Sequence, residues 1–408
     1  MDNRWLSDEK MFELVREFGS PLYVYDEKTL QKACRDMRGL LPGKNFRVSY
    51  SAKANSNIEL LKIIRSEDID VDAMSSGEIY IQQLAGYTND QIFFIPNNVS
   101  AEEMKYAIER DILVSVDSLS QLEMYGKLNP GGDIAVRFNP SAGLGHHEKV
   151  VTAGKETKFG VQTSFVPEVK ELLAKYNLKL VGINQHLGSL VMKKEPYIAG
   201  MKEALDTARQ FPGLSFVDFG GGFGVPYKEG EARLDLRDLS AAIQETLNDF
   251  LNEYDNKEII FRIEPGRYIA AECGILLGTV HSVKTNYDNE YIGTDLGFNV
   301  LMRPVLYDSY HAIHIAAKNG EAGQKKPRTV VGNICESGDV IAKDRELPKA
   351  NEGDIIAVLT AGSYGFSMSS NYNCRLRPAE VLINADGTHR LIRRRETFED
   401  LIRTSVKE

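Results

Sequence analysis

Between residues 45 and 265 the chain alternates short β-rich apolar runs with longer stretches of helical period. Eight runs carry the strand pattern, at 46–51, 69–74, 92–95, 113–117, 134–138, 180–186, 214–219 and 259–264. Between them lie amphipathic stretches. In "SNIELLKIIRSE" the apolar residues Ile58, Leu61, Ile63 and Ile64 precede a return to charge, and "SSGEIYIQQLAGY" and "VPEVKELLAKY" repeat that spacing. Strand–helix alternation on this scale means parallel pairing through crossover units. Eight units predict a closed (β/α)8 barrel rather than an open sheet.

Ahead of this region, "FGSPLYVYDEKTL" contains a strand-like run at 22–25 and a helix start at Asp26. After about residue 270 the texture changes. "CGILLGTVHSVKT", "EYIGTDLG", "PRTVVGNI", "DIIAVLTAG" and "PAEVLINADGTHRLIRR" are β-rich and separated by Gly, Pro and Asn-Asp turns. The expected organisation is a barrel over 27–269 and a β-rich domain built from 1–26 and 270–408. No internal repeat or low-complexity tract interrupts either.

Bulk properties narrow the function. A chain of 408 residues is too long for one small core, and 42% hydrophobic with 26% charged residues is ordinary for a soluble globular protein. A formal charge of −9 argues against nucleic acid as a partner. The densest basic run, "RLIRRRETFED", is followed at once by acids and reads as a solvated face. The polar, acidic start "MDNRWLSDEK" is no secretory signal, and no apolar stretch approaches the ~20 residues of a membrane helix. Cys34, Cys273, Cys335 and Cys374 are too scattered for a zinc site or a disulfide framework. A reducing cytoplasm is therefore expected, with no metal and with the cysteines as small buried hydrophobes, Cys335 being the one that calls for a second role.

The C-terminal ends of barrel strands are where functional groups collect. Here they are Lys53, "SSGE" (75–78), Asn97 and Asn98, Asp117 and Ser118, Arg137 to Asn139, His186, "GGGFG" (220–224) and Glu264. The glycines of "DFGGGFGVPY" free backbone N–H groups and remove the Cβ atoms that would exclude an anion, which suits a phosphate cradle, though a tight turn would use the same residues. The spacing does not match the dinucleotide fingerprint. "EPGRY" (264–268) offers a second wall: a carboxylate, a Pro-Gly turn and a guanidinium. A lysine, a phosphate cup and an acid for a ring nitrogen are what pyridoxal phosphate requires. His186 could stack on such a ring, or serve as a hydrogen-bonded core histidine.

Taken in order, "PLYVYD", "SAKANSN", "SSGEIY", "KFGV", "HLGS", "GGGFGVPY", "EPGR", "MRPVLYDSYH", "CESGD", "AGSYGFSMSSNYNCRLRPAEVL" and "LIRRRETFEDL" resemble the fold-type III pyridoxal-phosphate decarboxylases over nearly the full length, and among them the diaminopimelate decarboxylases. The resemblance implies an alanine-racemase-like (β/α)8 barrel with a C-terminal β domain, in a homodimer with shared active sites. It implies that Lys53 carries pyridoxal 5'-phosphate and that His186 packs on its ring. Gly220, Gly221, Gly222 and Gly266 would cradle the phosphate, Glu264 would pair with the ring nitrogen, and Arg267 and Tyr364 would lie beside cofactor and substrate. Cys335 and Glu336 would reach in from the partner subunit, Cys335 as the acid that returns a proton to the α-carbon. Arg267, Arg303 and Tyr307 would grip the distal carboxylate of an amino-acid substrate. The implied reaction is decarboxylation of meso-2,6-diaminopimelate to L-lysine. The alternatives are a decarboxylase of the ornithine, arginine or lysine type, a paralogue in specialised metabolism, or a non-catalytic homologue. The sequence departs from the family's usual pattern at Leu190, Tyr268, Asp295 and Val300, positions expected to bear on substrate choice.

Overall fold

A computed structural model describes residues 4–41, 43, 45–140, 157–319 and 323–406. The chain divides into two compact units, one made of 31–225 with 232–269, the other of 1–30, 226–231 and 270–408. The first strand, β1 (Leu22–Asp26), belongs to the second of these.

The first unit contains β2 (Phe46–Ser51), β3 (Asp70–Ala73), β4 (Ile92–Phe94), β5 (Leu113–Val116), β6 (Asp133–Asn139), β7 (Val161–Gln162), β8 (Lys179–Asn184), β9 (Phe216–Asp218) and β10 (Ile260–Ile263). They form one nine-stranded parallel sheet in the order β5-β4-β3-β2-β10-β9-β8-β6-β7, and an added β5–β6 pairing closes it. The two-residue β7 hangs outside the ring on β6, so eight strands make the barrel. The first four β-to-α junctions of the barrel are serine or asparagine caps. Asn57 accepts from Glu59 N at 3.0 Å, and Ser75, Ser100 and Ser118 accept from Glu78 N, Glu103 N and Gln121 N at 3.2 Å each. The side-chain oxygen satisfies a backbone donor that the first helical turn would otherwise leave open. Midway along the barrel Phe93 and Phe216 meet edge to face at 5.4 Å. Gly182 makes the room: a Cβ there would stand 2.2 Å from the Phe216 ring.

The second unit continues with β11 (Gly274–Asn286), β12 (Asn289–Thr294), β13 (Ile313–Ala316), β14 (Lys326–Val331), β15 (Val340–Leu347), β16 (Ile355–Val358), β17 (Ala379–Ile383) and β18 (His389–Arg393). Its sheet runs β15-β14-β12-β11-β1-β17-β18, with β16 joining β11 to β13. β1 lies between an antiparallel β11 (Leu22 opposite Leu277) and a parallel β17 (Leu22 opposite Ala379). A helix, Asp8–Phe18, closes one face of the core by burying Met11 and Leu14 near Leu22, Val24 and Val381. No helix was expected before residue 26. The signal was present in Ser7, which caps Lys10 N, and in the i, i+3, i+4 spacing of Met11, Leu14 and Val15. No helix of the described residues is long and apolar enough to cross a membrane.

Candidate active site

In the barrel unit Lys53 stands on the short 3-10 turn Ala52–Ala54 that terminates β2, half-buried. Behind it lies Asp72 of β3, which is fully buried and accepts from Ser51 Oγ at 2.6 Å and from Ala52 N at 3.3 Å. Burial pushes Asp72 up to about 7 while the Lys53 charge pulls the other way. The two carboxylate contacts therefore lock the turn that presents the lysine. Glu78 accepts from Met74 N at 2.6 Å, and burial raises it too.

On the neighbouring strands the glycine run adopts the shape its lack of side chains allows. Gly220 and Gly222 have φ of 71° and 98°, conformations that a Cβ would strain. A Cβ at Gly221 would stand 2.0 Å from the Glu264 carbonyl oxygen, and one at Gly220 would stand 2.3 Å from that of Gln185. Not all the N–H groups are available to a ligand, however. Gly220 N donates to Asp218 Oδ1 at 2.8 Å, and Gly221 N donates to His186 Nδ1 at 3.2 Å. The first two glycines thus tie the loop to β9 and to His186, and an anion would be met by Gly222 and Gly266. Gly266 needs its small size because Ser51 Cβ would lie 2.9 Å away.

His186 is held neutral. Burial and the nearby charges of Lys53 and Arg137 push it well below the ordinary histidine range, and its Nδ1 is already an acceptor. Glu264 has the opposite displacement: burial first, then the charges of Asp218 and Asp72, raise it well above a normal carboxyl, against Lys53 and Arg137. Its Oε1 is buried with no hydrogen-bond partner among the described residues. Asp218 is likewise raised, to about 6, chiefly by burial. Arg267 is buried, and its guanidinium donates to Ser189 Oγ at 2.9 Å, whereas the Tyr268 hydroxyl is directed to Asp36 at 3.4 Å. Leu190 adopts a left-handed φ of 61°.

The remaining predicted residues lie in the β-rich unit. Arg303 opens a one-turn helix, Arg303–Tyr307, and is 1% exposed. It donates to His311 Nε2 at 2.8 Å, and His311 Nδ1–H passes the chain on to the Leu359 carbonyl at 2.9 Å. The Tyr227 ring faces the same guanidinium at 4.8 Å. Tyr307 and Tyr364 are half-buried, and Tyr364 is held at φ 57°. Cys335 and Glu336 occupy an exposed loop braced by the segment "SSNYN": Asn373 Oδ1 accepts from Cys335 N at 2.9 Å, and Tyr372 OH donates to Glu336 at 2.6 Å. Cys34 and Cys273 are buried as expected, but Cys374 is exposed beside this loop. Asp295 accepts from Thr279 N at 2.9 Å and from Ser20 Oγ at 2.5 Å. Val300, 1% exposed, receives the Tyr23 hydroxyl on its carbonyl at 2.6 Å.

Sequence reasoning marked Glu78 and Arg137 only as strand-exit polar residues and missed Asp72 and Asp218. Both of these lay inside runs read only as strands, where a charge on a doubly buried strand is itself the signal. What the barrel unit offers is an amine, a side-chain-free cradle and an acid with an orphaned oxygen. That donor set fits a phosphate-bearing pyridine whose protonated nitrogen would supply the donor Glu264 Oε1 lacks. Comparison with known proteins agrees. Residues 27–271 match the family described as pyridoxal-dependent decarboxylase, pyridoxal binding domain. The chain is 40% identical over 399 residues to a diaminopimelate decarboxylase of Methanothermobacter thermautotrophicus, covering 96% of this chain and 92% of that protein. Identity to the diaminopimelate decarboxylase of Escherichia coli K12 is 33%, covering 97% and 96%. The crystal structure of diaminopimelate decarboxylase from Helicobacter pylori complexed with L-lysine superposes with a TM-score of 0.88 at 32% identity, covering 96% of this chain and 98% of that one.

Proposed function

The chain belongs to the diaminopimelate decarboxylase family of pyridoxal-dependent decarboxylases, and on that premise we propose that it removes one α-carboxyl group of meso-2,6-diaminopimelate, releasing L-lysine and CO2 in the cytoplasm. The observation that carries this reading is the buried, raised Glu264 with an unpartnered Oε1, set against the glycine cradle and the charge of Lys53. Bound pyridoxal phosphate supplies a ring that accepts the electron pair left when the α-carbon–carboxylate bond breaks.

The chain's own groups act around that chemistry. Lys53, positioned by the Ser51–Asp72 brace, would carry the cofactor. Gly222 N–H and Gly266 N–H would receive its phosphate. Glu264 would keep its ring nitrogen protonated. Neutral His186 would lie beside the ring without adding a positive charge beside Lys53. Arg267, Arg303 and Tyr307 take the distal carboxylate, with His311 and Tyr227 orienting the Arg303 guanidinium without cancelling its charge. Tyr364 and Glu336 border the substrate. The Cys335 thiol returns a proton to the α-carbon after CO2 has left. Its exposed loop, stiffened by Tyr372 and Asn373, suits delivery into the site of a second subunit, so the working unit is a homodimer.

Measured CO2 release from meso-diaminopimelate, L-lysine, L-ornithine and L-arginine tests the reading. Release from the first alone is expected, because a site built to bind a carboxylate rejects analogues lacking it by ~10⁴-fold. Comparable turnover of ornithine would replace this reading with an amine-forming one.

A further inference from the structure

At the N-terminal ends of the barrel strands, opposite the exits that carry Lys53 and Glu264, a cavity of about 500 Å³ opens between the segments that precede β4, β5, β6 and β9. Arg262 of β10 forms part of its lining. The guanidinium lies over the Phe216 ring at 4.4 Å and the Phe93 ring at 5.7 Å. Its Nε is screened from solvent and has no hydrogen-bond partner among the described residues. Burial lowers Arg262, and Asp218 and Asp70 oppose that only as charges at a distance. A guanidinium packed against these rings with its Nε buried and without a partner is costly, and an anion in the cavity would relieve that cost.

The mouth has a different character. Asp90, Asp111 and Asp133 line it and are exposed, with Lys179 as the counter-charge, next to Asp133 across the β6–β8 register. A ligand complementary to the whole cavity bears a carboxylate at its inner end and positive charge at its outer end. Inorganic phosphate or a dicarboxylate meets Arg262 but is repelled at the rim. A diamine meets the rim but leaves Arg262 open.

We propose that this cavity binds a small amino acid with a cationic side chain, its carboxylate on Arg262 and its ammonium groups among Asp90, Asp111 and Asp133. The site is separate from the one assigned to decarboxylation, and it does not depend on that assignment.

The test is equilibrium binding of radiolabelled L-lysine to the holoenzyme and to the Arg262→Gln holoenzyme, read as sites per chain. The native chain is expected to bind one L-lysine more than Arg262→Gln, and equal stoichiometry in the two overturns the proposal. Should decarboxylation itself prove wrong, the native count changes but the difference of one between the chains does not. Because Arg262→Gln replaces an interior residue, Asp111→Asn gives an independent arm at an exposed position. It is expected to weaken L-lysine several-fold at the Arg262 site while leaving acetate unchanged or tighter. Competition of cadaverine and acetate against bound L-lysine completes the set: each alone should compete at least tenfold more weakly than L-lysine, and equal competition by cadaverine would show that Arg262 contributes nothing.

Discussion

A methyl group is enough to separate cradle from turn. Gly221→Ala would place a Cβ 2.0 Å from the Glu264 carbonyl oxygen, a clash with backbone that no side-chain rotation relieves. The expected cost is about 1–3 kcal/mol of stability, read by urea denaturation, together with a loss of cofactor affinity, because the substitution would move Glu264, the group proposed to hold the ring nitrogen protonated. Lys53→Ala should abolish the visible absorbance band of the bound cofactor while the melting temperature of the cofactor-free chain stays within a few degrees, since Lys53 is half-buried. Arg303→Ala should keep that band and lose ~10³–10⁴-fold in kcat/KM for meso-diaminopimelate; a variant as active as the parent would remove Arg303 from the substrate site. Lys53, His186, Glu264 and the glycines were readable in the sequence because each closes a predicted strand. Asp72 and Asp218 were not, because they sit within strands, where a one-dimensional reading sees only β content and cannot tell the barrel interior from its outer face.

Among elements, the barrel strands act as carriers of buried charge. Ser51 pairs in register with Asp72 across β2 and β3, and Asp218 with Arg262 across β9 and β10. Stability follows from this. Burial only lowers His186, so above about pH 6.5 it is neutral in both folded and unfolded chains and carboxyl groups decide the slope. Asp72 titrates at about 7 in the folded chain, and Glu264 lies well above the ordinary range, whereas both ionise near ~4 once unfolded. The folded, cofactor-free chain therefore holds more protons, and its stability falls as pH rises from about 6.5 through about 7, where the Asp72 share fades out, by up to about 1.4 kcal/mol per pH unit for each such proton. Thermal melts across that window should show the decline, and Asp72→Asn should flatten it; a native chain whose melting temperature rises with pH would refute the assignment of those protons. The elements themselves were legible where apolar runs ended in turn residues and serine caps. The helix Asp8–Phe18 was overlooked because its polar, acidic face dominates the composition of the first residues, and β7 because two residues carry no period.

At the scale of the whole molecule, the chemistry is divided between two units. The amine, the cradle and Glu264 belong to the barrel, and the thiol, Glu336 and Arg303 to the β-rich unit. Composition and periodicity predicted both architectures but could not say why "CESGD" and "SSNYN" occur together. The structure gives the reason: Tyr372 and Asn373 brace the loop that exposes Cys335. An exposed, braced thiol serves a neighbour better than itself, and complementation turns that into a decision. Lys53→Ala and Cys335→Ala should each be inactive as pure preparations. If every site combines Lys53 of one subunit with Cys335 of the other, a heterodimer of the two variants contains one site with both defects and one site with neither. Unfolding and refolding an equimolar mixture yields such heterodimers as half of all dimers, so about a quarter of native activity should return. If instead each subunit supplies both residues to its own site, every site in every dimer keeps a defect and the mixture stays as inactive as its components.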